Sequence, residues 1–378
     1  MKIVIATDSF KGSLSTIQAG SAISEGIKRA FPEAETSVHP IADGGEGTVE
    51  AMATIKGSQQ QKLTVSGPLD KKVEAEYVTV GNTAIIEMSA AAGITLLKKE
   101  ELNPLYTNTY GVGEIIKDAI NKGCRKFIIG IGGSATNDGG TGMLKALGFE
   151  FLDAKGKTID NGARGLEKLR KISADKVLPL LKDCTFQIAC DVKNPLCGET
   201  GCSAVYGPQK GATPQMIELM DKWLLNYASI AKAINPASDS NTPGAGAAGG
   251  MGFAFSAFLN GELKPGIDLI IKETGLEEVI KTADVVITGE GRLDGQSAMG
   301  KVPTGVAKLA KKYNKPVIAL AGCVTDDAKK LNQHGIDAFF PIIKGICSLE
   351  EAMNPDNAYK NLSDTAEQIF RVLYKFCK

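Results

Sequence analysis

Histidine and tryptophan are scarce in this 378-residue chain, which has only His39, His334 and Trp223. Neither histidine sits in a Cys/His cluster, which argues against a histidine-ligated zinc site and a Ser-His-Asp triad. Acid–base chemistry then falls to carboxylates or lysines. Net charge is missing as well. Lys plus Arg is 43 and Asp plus Glu is 43, so the chain lacks the positive excess of a nucleic-acid binder or a polybasic membrane anchor. No apolar run approaches the roughly 18 residues of a membrane span. The nearest, Ala245 to Leu259, is mostly Gly and Ala, and the N-terminal run Ile3 to Ala6 is too short for a signal-peptide core. Eight cysteines without a Cys-x-x-Cys pair read as reduced thiols of a cytoplasmic protein.

What remains is ordinary globular composition, 43% hydrophobic and 23% charged, with a surplus of glycine (43 residues) that clusters. At roughly 150 residues per domain the length predicts two domains. Residues 2–7 read as a short buried strand. Ser15-Thr16-Ile17-Gln18 is a capping box opening a helix that Pro32 stops, and a second strand follows over 36–42. The pattern then alternates over 62–80 and 83–88 around the turn Gly81-Asn82, which predicts a hairpin in a mixed sheet. Thr213-Pro214 opens a long helix whose stripe Met216, Met220, Trp223, Tyr227 and Ile230 is core. From residue 284 the strand–helix rhythm returns. These features predict an α/β protein of two domains: a parallel-sheet, Rossmann-like or flavodoxin-like domain (1–65 plus 281–378, discontinuous) and an inserted mixed-sheet α/β domain (66–280).

Five strand-to-loop junctions share one chemistry of small residues, carboxylates and a nearby cation: DSFKGS (8–13), ADGGEGT (42–48), GGSATNDGGTG (132–142), DVKNP (191–195) and TGEGRLDGQ (288–296). Glycine lets backbone N–H groups approach an anion, carboxylates hold Mg²⁺ or take a proton, and Lys or Arg neutralises phosphate. Phosphoryl transfer needs these parts together. Three other motifs are weaker. Gly295-x4-Gly300-Lys301 resembles a Walker A loop, but Val302 stands where Ser or Thr should hold Mg²⁺. Gly244-Ala-Gly246-Ala-Ala-Gly249 matches a dinucleotide fingerprint but follows no strand. Gly130-Ile-Gly132-Gly133-Ser-Ala135 does follow one, and keeps open an NAD-dependent dehydrogenase acting on a small hydroxy acid. A non-catalytic solute-binding protein is a third class.

Seven motifs in order carry a more specific signal: DSFKGSLS (8–15), ADGGEGT (42–48), GIGGSATNDGGTGML (130–144), CDVKNPLCG (190–198), YGPQKGA (206–212), PGAGAAGGMGFA (243–254) and TGEGRLDGQS (288–297). They resemble the class I bacterial glycerate kinase family over essentially the whole chain. Only Cys202 and Tyr206 depart, standing where Ala and Phe are expected. The resemblance implies ATP- and Mg²⁺-dependent phosphorylation of D-glycerate, in a cleft between two domains, most simply to 2-phosphoglycerate in glycerate catabolism. It implies a small-molecule substrate, no nucleic-acid or membrane partner, and a monomer or small homo-oligomer.

Within that expectation Asp191 is the general base or a metal ligand, and Lys11 and Arg292 clamp phosphate or carboxylate. Substrate and nucleotide contacts are expected from Asp8, Ser9, Asp43, Gly44 and Gly45, and from Gly132, Gly133, Ser134, Asn137, Asp138 and Gly139. The last loop would add Gly289, Glu290, Gly291 and Lys301. Asp294 and Glu46 are the expected metal ligands.

Overall fold

The computed structural model describes residues 1–295, 297 and 300–376. The chain divides into two compact units: Met1–Asp43, Glu50–Ile55 and Ile267–Lys378 form the first, and Gly44–Val49 and Lys56–Gly266 the second. Strands β1 (Lys2–Ile5) and β2 (Glu35–Val38) belong to the first unit. The second holds β3 (Ser58–Ser66), β4 (Lys72–Val80), β5 (Thr83–Glu87), β6 (Lys126–Gly130), β7 (Glu150–Leu152), β8 (Lys171–Ser173), β9 (Thr185–Ala189) and β10 (Glu262–Lys264). Strands β11 (Val285–Leu293), β12 (Val317–Val324) and β13 (Ala338–Pro341) return to the first.

The first unit's sheet runs β13-β12-β11-β1-β2 with every pair parallel. Counted within the unit this is the order 5-4-3-1-2, the flavodoxin-like arrangement. Its central strands are apolar without alternation, as a sheet buried on both faces requires: Ile3, Ile5, Val286 and Ile287 are all essentially inaccessible. Helix Thr16–Ala30 starts at Ser15, whose hydroxyl accepts from Gln18 N–H at 3.3 Å while Gln18 Oε1 accepts from Ser15 N–H at 2.9 Å. Its buried Ala19, Ile23 and Ile27 share a core with Leu362, Ala366 and Phe370 of helix Pro355–Phe376. Burying each of the larger side chains stabilises the fold by roughly 1.5–3 kcal/mol. A Cβ on Gly26 would lie 2.0 Å from the Ser363 carbonyl, so the two helices meet backbone to backbone there.

The second unit's sheet runs β10-β9-β6-β5-β4-β3; β3/β4 and β4/β5 are antiparallel, the other pairs parallel. Val80 pairs with Thr83 across Gly81-Asn82, the two-residue turn legible in the sequence. Thr213 caps helix Pro214–Ala231 through Met216 N–H at 3.3 Å. From that helix Tyr227 enters an aromatic cluster with Phe151, Phe253 and Phe258. Three stretches depart from expectation: residues 44–49 and 56–65 belong to the second unit, and residues 267–280 to the first. Residues 58–65 pair along their length with β4, because their alternating pattern suits a sheet with a solvated face. Helices Gly266–Thr274 and Leu276–Thr282 were expected in the inserted domain, yet residues 267–280 belong to the first unit, where Ile267, Ile270 and Ile280 are buried.

Candidate active site

In the first unit β1 lies between β2 and β11. The connections leave in opposite directions on its two sides, which opens a crevice beyond the carboxyl ends of the strands. The loop after β1 meets the carboxyl-terminal part of β11 there. Asp8 N–H donates to the Gly289 carbonyl at 2.9 Å. Gly291 lies under the crossing loop, since a Cβ on it would sit 3.4 Å from Lys11 N and 3.5 Å from Phe10 Cα. Between them is a cavity of about 380 Å³. Its polar end is built from Asp8, Ser9, Lys11 and Ser13 of the loop after β1, Glu290 and Arg292 of β11, and Lys301 beyond it.

Burial dominates the electrostatics of this end. Asp8 is buried, and its carboxyl is pushed up to about 7, first by desolvation and then by Asp43, with Glu290 adding to the rise. The Ser9 N–H, 2.7 Å from Asp8 Oδ1, and Lys11 oppose it. Glu290 is also raised by burial, against the Ser297 hydroxyl at 2.5 Å and Lys301 Nζ at 3.9 Å. Arg292 Nε pairs with Asp294 Oδ2 at 3.3 Å. The hydroxyls of Ser9 and Ser13 are buried without a hydrogen-bond partner. Clustered carboxylates that resist ionisation, three cations and two orphaned hydroxyls fit a polyphosphate with its divalent ion. Among the described residues no three His, Cys, Asp or Glu side chains form a metal cage. Mg²⁺ is commonly held by one or two carboxylates together with phosphate oxygens, and Asp8 and Glu290 line this end. Asp294 and Glu46, expected to ligate metal, form no such cage, and Glu46 belongs to the second unit.

Lys301 is the N-cap of helix Val302–Lys312, and Val302 is fully buried. The last Walker-like position is therefore core. Gln296 of that loop, with residues 298 and 299, lies outside the described residues.

The other expected positions belong to the second unit. Asp191, just after β9, is exposed, and its Oδ1 accepts from Gly266 N–H at 3.0 Å. Gly44 has φ +85°, and a Cβ on it would stand 2.1 Å from Ala189 Cβ. A Cβ on Gly130 would meet the Gly44 carbonyl at 1.8 Å, and one on Gly132 would come 3.3 Å from Gly45 Cα. Close packing of loop on strand end thus accounts for these glycines. Gly132 and Gly133 remain exposed and available to a ligand.

Asn137 and Asp138, expected to contact substrate or nucleotide, are wholly buried and held by neighbours within the second unit. Asp138 takes donors from Thr109 (backbone 3.0 Å, hydroxyl 2.9 Å), Gly140 (3.0 Å) and Gly142 (3.1 Å). Asn137 Nδ2 donates to Ser203 Oγ at 2.8 Å. Gly139 is buried as well, with a Cβ position 2.8 Å from the Tyr227 ring. Ser134 Oγ accepts from the buried Lys210 Nζ at 2.8 Å, and the same ammonium donates to the Thr136 carbonyl at 2.6 Å. Burial pulls Lys210 down to about 8. Lys210 had no assigned role in the sequence; YGPQKGA was its only signal. The expected departure Tyr206 has a role of its own, donating to Asn194 Oδ1 at 2.7 Å.

Neither dinucleotide fingerprint has its required context. After β6 the next helix, Thr141–Ala146, begins only past the loop 131–140, so the helix that the fingerprint requires does not follow directly on Gly130–Ala135. In the 244–249 run, Cβ atoms on Gly246 and Gly249 would each lie 2.1 Å from a carbonyl, those of Pro195 and Thr136. Ala248, Gly249 and Gly250 are consecutive left-handed residues (φ 52°, 67° and 96°), and Gly139 N–H bonds the Gly249 carbonyl at 2.9 Å. The run is a packing device.

A flavodoxin-like parallel unit with a charged, anion-ready cavity at its switch point, joined to a mixed-sheet unit, defines an α/β enzyme equipped for phosphoryl transfer. The glycerate kinase family profile matches residues 3–374, and the chain belongs to that family. It is 48% identical over 375 residues to a glycerate 2-kinase of Escherichia coli K12, covering 99% of this chain and 98% of that one. It is 47% identical over 379 residues to a glycerate kinase of Haemophilus influenzae, covering both chains fully. A crystal structure assigned as glycerate kinase 2 from Salmonella typhimurium LT2 superposes with a TM-score of 0.89 at 45% identity, covering 100% of this chain and 99% of that one. The chain is a kinase of this family, a class that uses ATP. Among the described residues no helix is long and apolar enough to cross a membrane.

Proposed function

We propose that this chain phosphorylates the 2-hydroxyl of D-glycerate from Mg·ATP, yielding 2-phosphoglycerate and ADP in glycerate catabolism. The carrying observation is the polar end of the first unit's cavity, where the orphaned Ser9 and Ser13 hydroxyls stand beside Lys11 and Lys301. In this reading those groups and Arg292 hold phosphate, while Asp8, Asp43 and Glu290 face its metal ion. When bound, Mg²⁺ offsets the negative charge shared over the transferred group. The glycerate hydroxyl oxygen bonds to phosphorus as the bond to ADP breaks, and its proton passes to a carboxylate, for which Asp191 is proposed. The identity of the Escherichia coli relative supports the 2-position.

The test is a ³¹P NMR spectrum of the protein with D-glycerate, Mg²⁺ and ATP. A new phosphomonoester signal coupled to the C2 proton is expected. Coupling to the C3 protons would move the transfer to the 3-hydroxyl, and intact ATP would end the kinase reading for this substrate.

A further inference from the structure

The cavity of the first unit has a second end that the phosphate chemistry does not use. Past Arg292, β11 continues beside β12, with Arg292 opposite Cys323. There the lining turns apolar: Ile342 and Ile343 after β13, and Leu349, Ala352 and Met353 of the short helix Leu349–Met353. Leu349 is 78% exposed and Met353 36%, although both line the cavity. Two large apolar side chains at helical i, i+4 spacing thus border a concave site, Leu349 largely and Met353 partly open to solvent. From helix Pro355–Phe376, Asn361 adds a side-chain amide to the same wall.

The two ends differ in chemistry and are continuous in space. One offers cations and unpaired hydroxyls, and the other aliphatic side chains with an amide. A ligand filling both is anionic at one end and flat and apolar, with a hydrogen-bonding edge, at the other. Cavities of roughly 300–1,000 Å³ with an apolar lining and few polar groups hold ligands of this size. Glycerate, with its carboxylate and two hydroxyls, has no surface for the apolar end. A nucleoside with its phosphates has both parts, and an Asn amide can pair with the edge of adenine. The thioether of Met353 adapts readily to an aromatic face. We infer that the apolar end, formed by Ile342, Ile343, Leu349, Ala352, Met353 and Asn361, is the nucleobase subsite for an adenine nucleotide whose phosphates lie at Ser9, Lys11 and Ser13. This inference rests on the kinase reading and adds a location to it.

Cys323 and Cys347 provide the test. Both thiols are exposed, but only Cys323 lines the cavity. Alkylation of the full-length protein by N-ethylmaleimide, read peptide by peptide in a mass spectrometer, compares their rates. Saturating ADP, with binding verified by calorimetry, is expected to slow labelling of Cys323 at least ~tenfold and to leave Cys347 within about twofold. D-glycerate alone should leave both rates unchanged. ADP that binds without protecting Cys323, or glycerate that protects it, overturns the subsite while leaving the kinase reading to the NMR experiment. A failure of ADP to bind overturns both. As a second arm, Ala352→Trp on the partly exposed short helix fills the apolar end. It should weaken ADP at least ~tenfold with KM for glycerate within about twofold, and unchanged ADP affinity counts against the assignment.

Discussion

Replacing Asp8 by Asn should make the protein more stable at pH 8 while impairing it as an enzyme. Unfolded, Asp8 ionises at its ordinary value of 3.8; folded, it does so at about 7, because burial and Asp43 disfavour the charge. Between those values the folded state holds a proton that the unfolded state has lost. Stability therefore falls as pH rises through this window, and the full penalty is present above about 7. The gap, at about 1.4 kcal/mol per pH unit, sets a ceiling of about 4 kcal/mol. Asparagine carries no charge and escapes the penalty. Its oxygen still accepts the Ser9 N–H, though more weakly, and its buried amide donors need partners, which together return about 1–2 kcal/mol at every pH. That constant return drops out when two pH values are compared. From pH 5 to pH 8 the variant's stability relative to the parent should rise by about 2–3 kcal/mol. Urea unfolding should be followed by far-UV circular dichroism, because the single tryptophan, Trp223, lies in the second unit and Asp8 in the first. A difference that is flat within about 1 kcal/mol from pH 5 to pH 8 would refute the strained buried carboxylate.

Four further outcomes are expected. Lys11→Ala should raise a KM or cut kcat at least ~tenfold, the scale of one charge-assisted hydrogen bond; an effect below about twofold in steady-state kinetics removes Lys11 from the site. Asp191→Asn should lose most of kcat with KM for ATP little changed, and unaltered turnover would dismiss it as the base. Ala248→Gly relieves a left-handed alanine (φ 52°) and should stabilise the second unit by about 0.5–1 kcal/mol in urea unfolding read by Trp223 fluorescence. Tyr227→Phe removes a buried hydroxyl that has no partner but keeps the ring against Phe258. It should be neutral or stabilising by about 1 kcal/mol, and a loss above that would mean a bridging water.

Signals confined to a few neighbouring residues were readable in the sequence. The Ser15–Gln18 box, the Thr213-Pro214 start and the Gly81-Asn82 turn act through bonds within four residues, and each forms as read. The Lys11 loop was also legible, since it follows an apolar strand; Glu290, expected in a loop after 288, instead lies within β11, which runs on to Leu293 beside β12. Whether a carboxylate in a loop after a strand lines a cavity, as Asp8 does, or is held in the interior, as Asp138 is, was not legible. Only the fold turns Asp138 inward onto Thr109, 29 positions away. Strand β3 was misassigned for a related reason: its pattern specifies a half-exposed strand without naming its partner. The apolar end of the cavity left no motif at all. Ile342, Met353 and Asn361 converge from a loop, a short helix and a long helix, and no spacing along the chain records that meeting.

The placement of β1 has a consequence for how the protein is made. Ile3 pairs with Thr36 on one side and with Val285 on the other. A ribosome adding about 5–20 residues per second needs roughly 15–60 s to deliver that second neighbour. Throughout that interval the strand at the centre of the finished sheet is an open edge of unsatisfied amides, the feature that recruits stray strands. The intervening unit, complete by Gly266, can fold while the first waits. The nascent chain is thus most vulnerable at its beginning and is rescued only by its last third. Truncations that keep β1 and the whole second unit but remove β11 onward should yield aggregates.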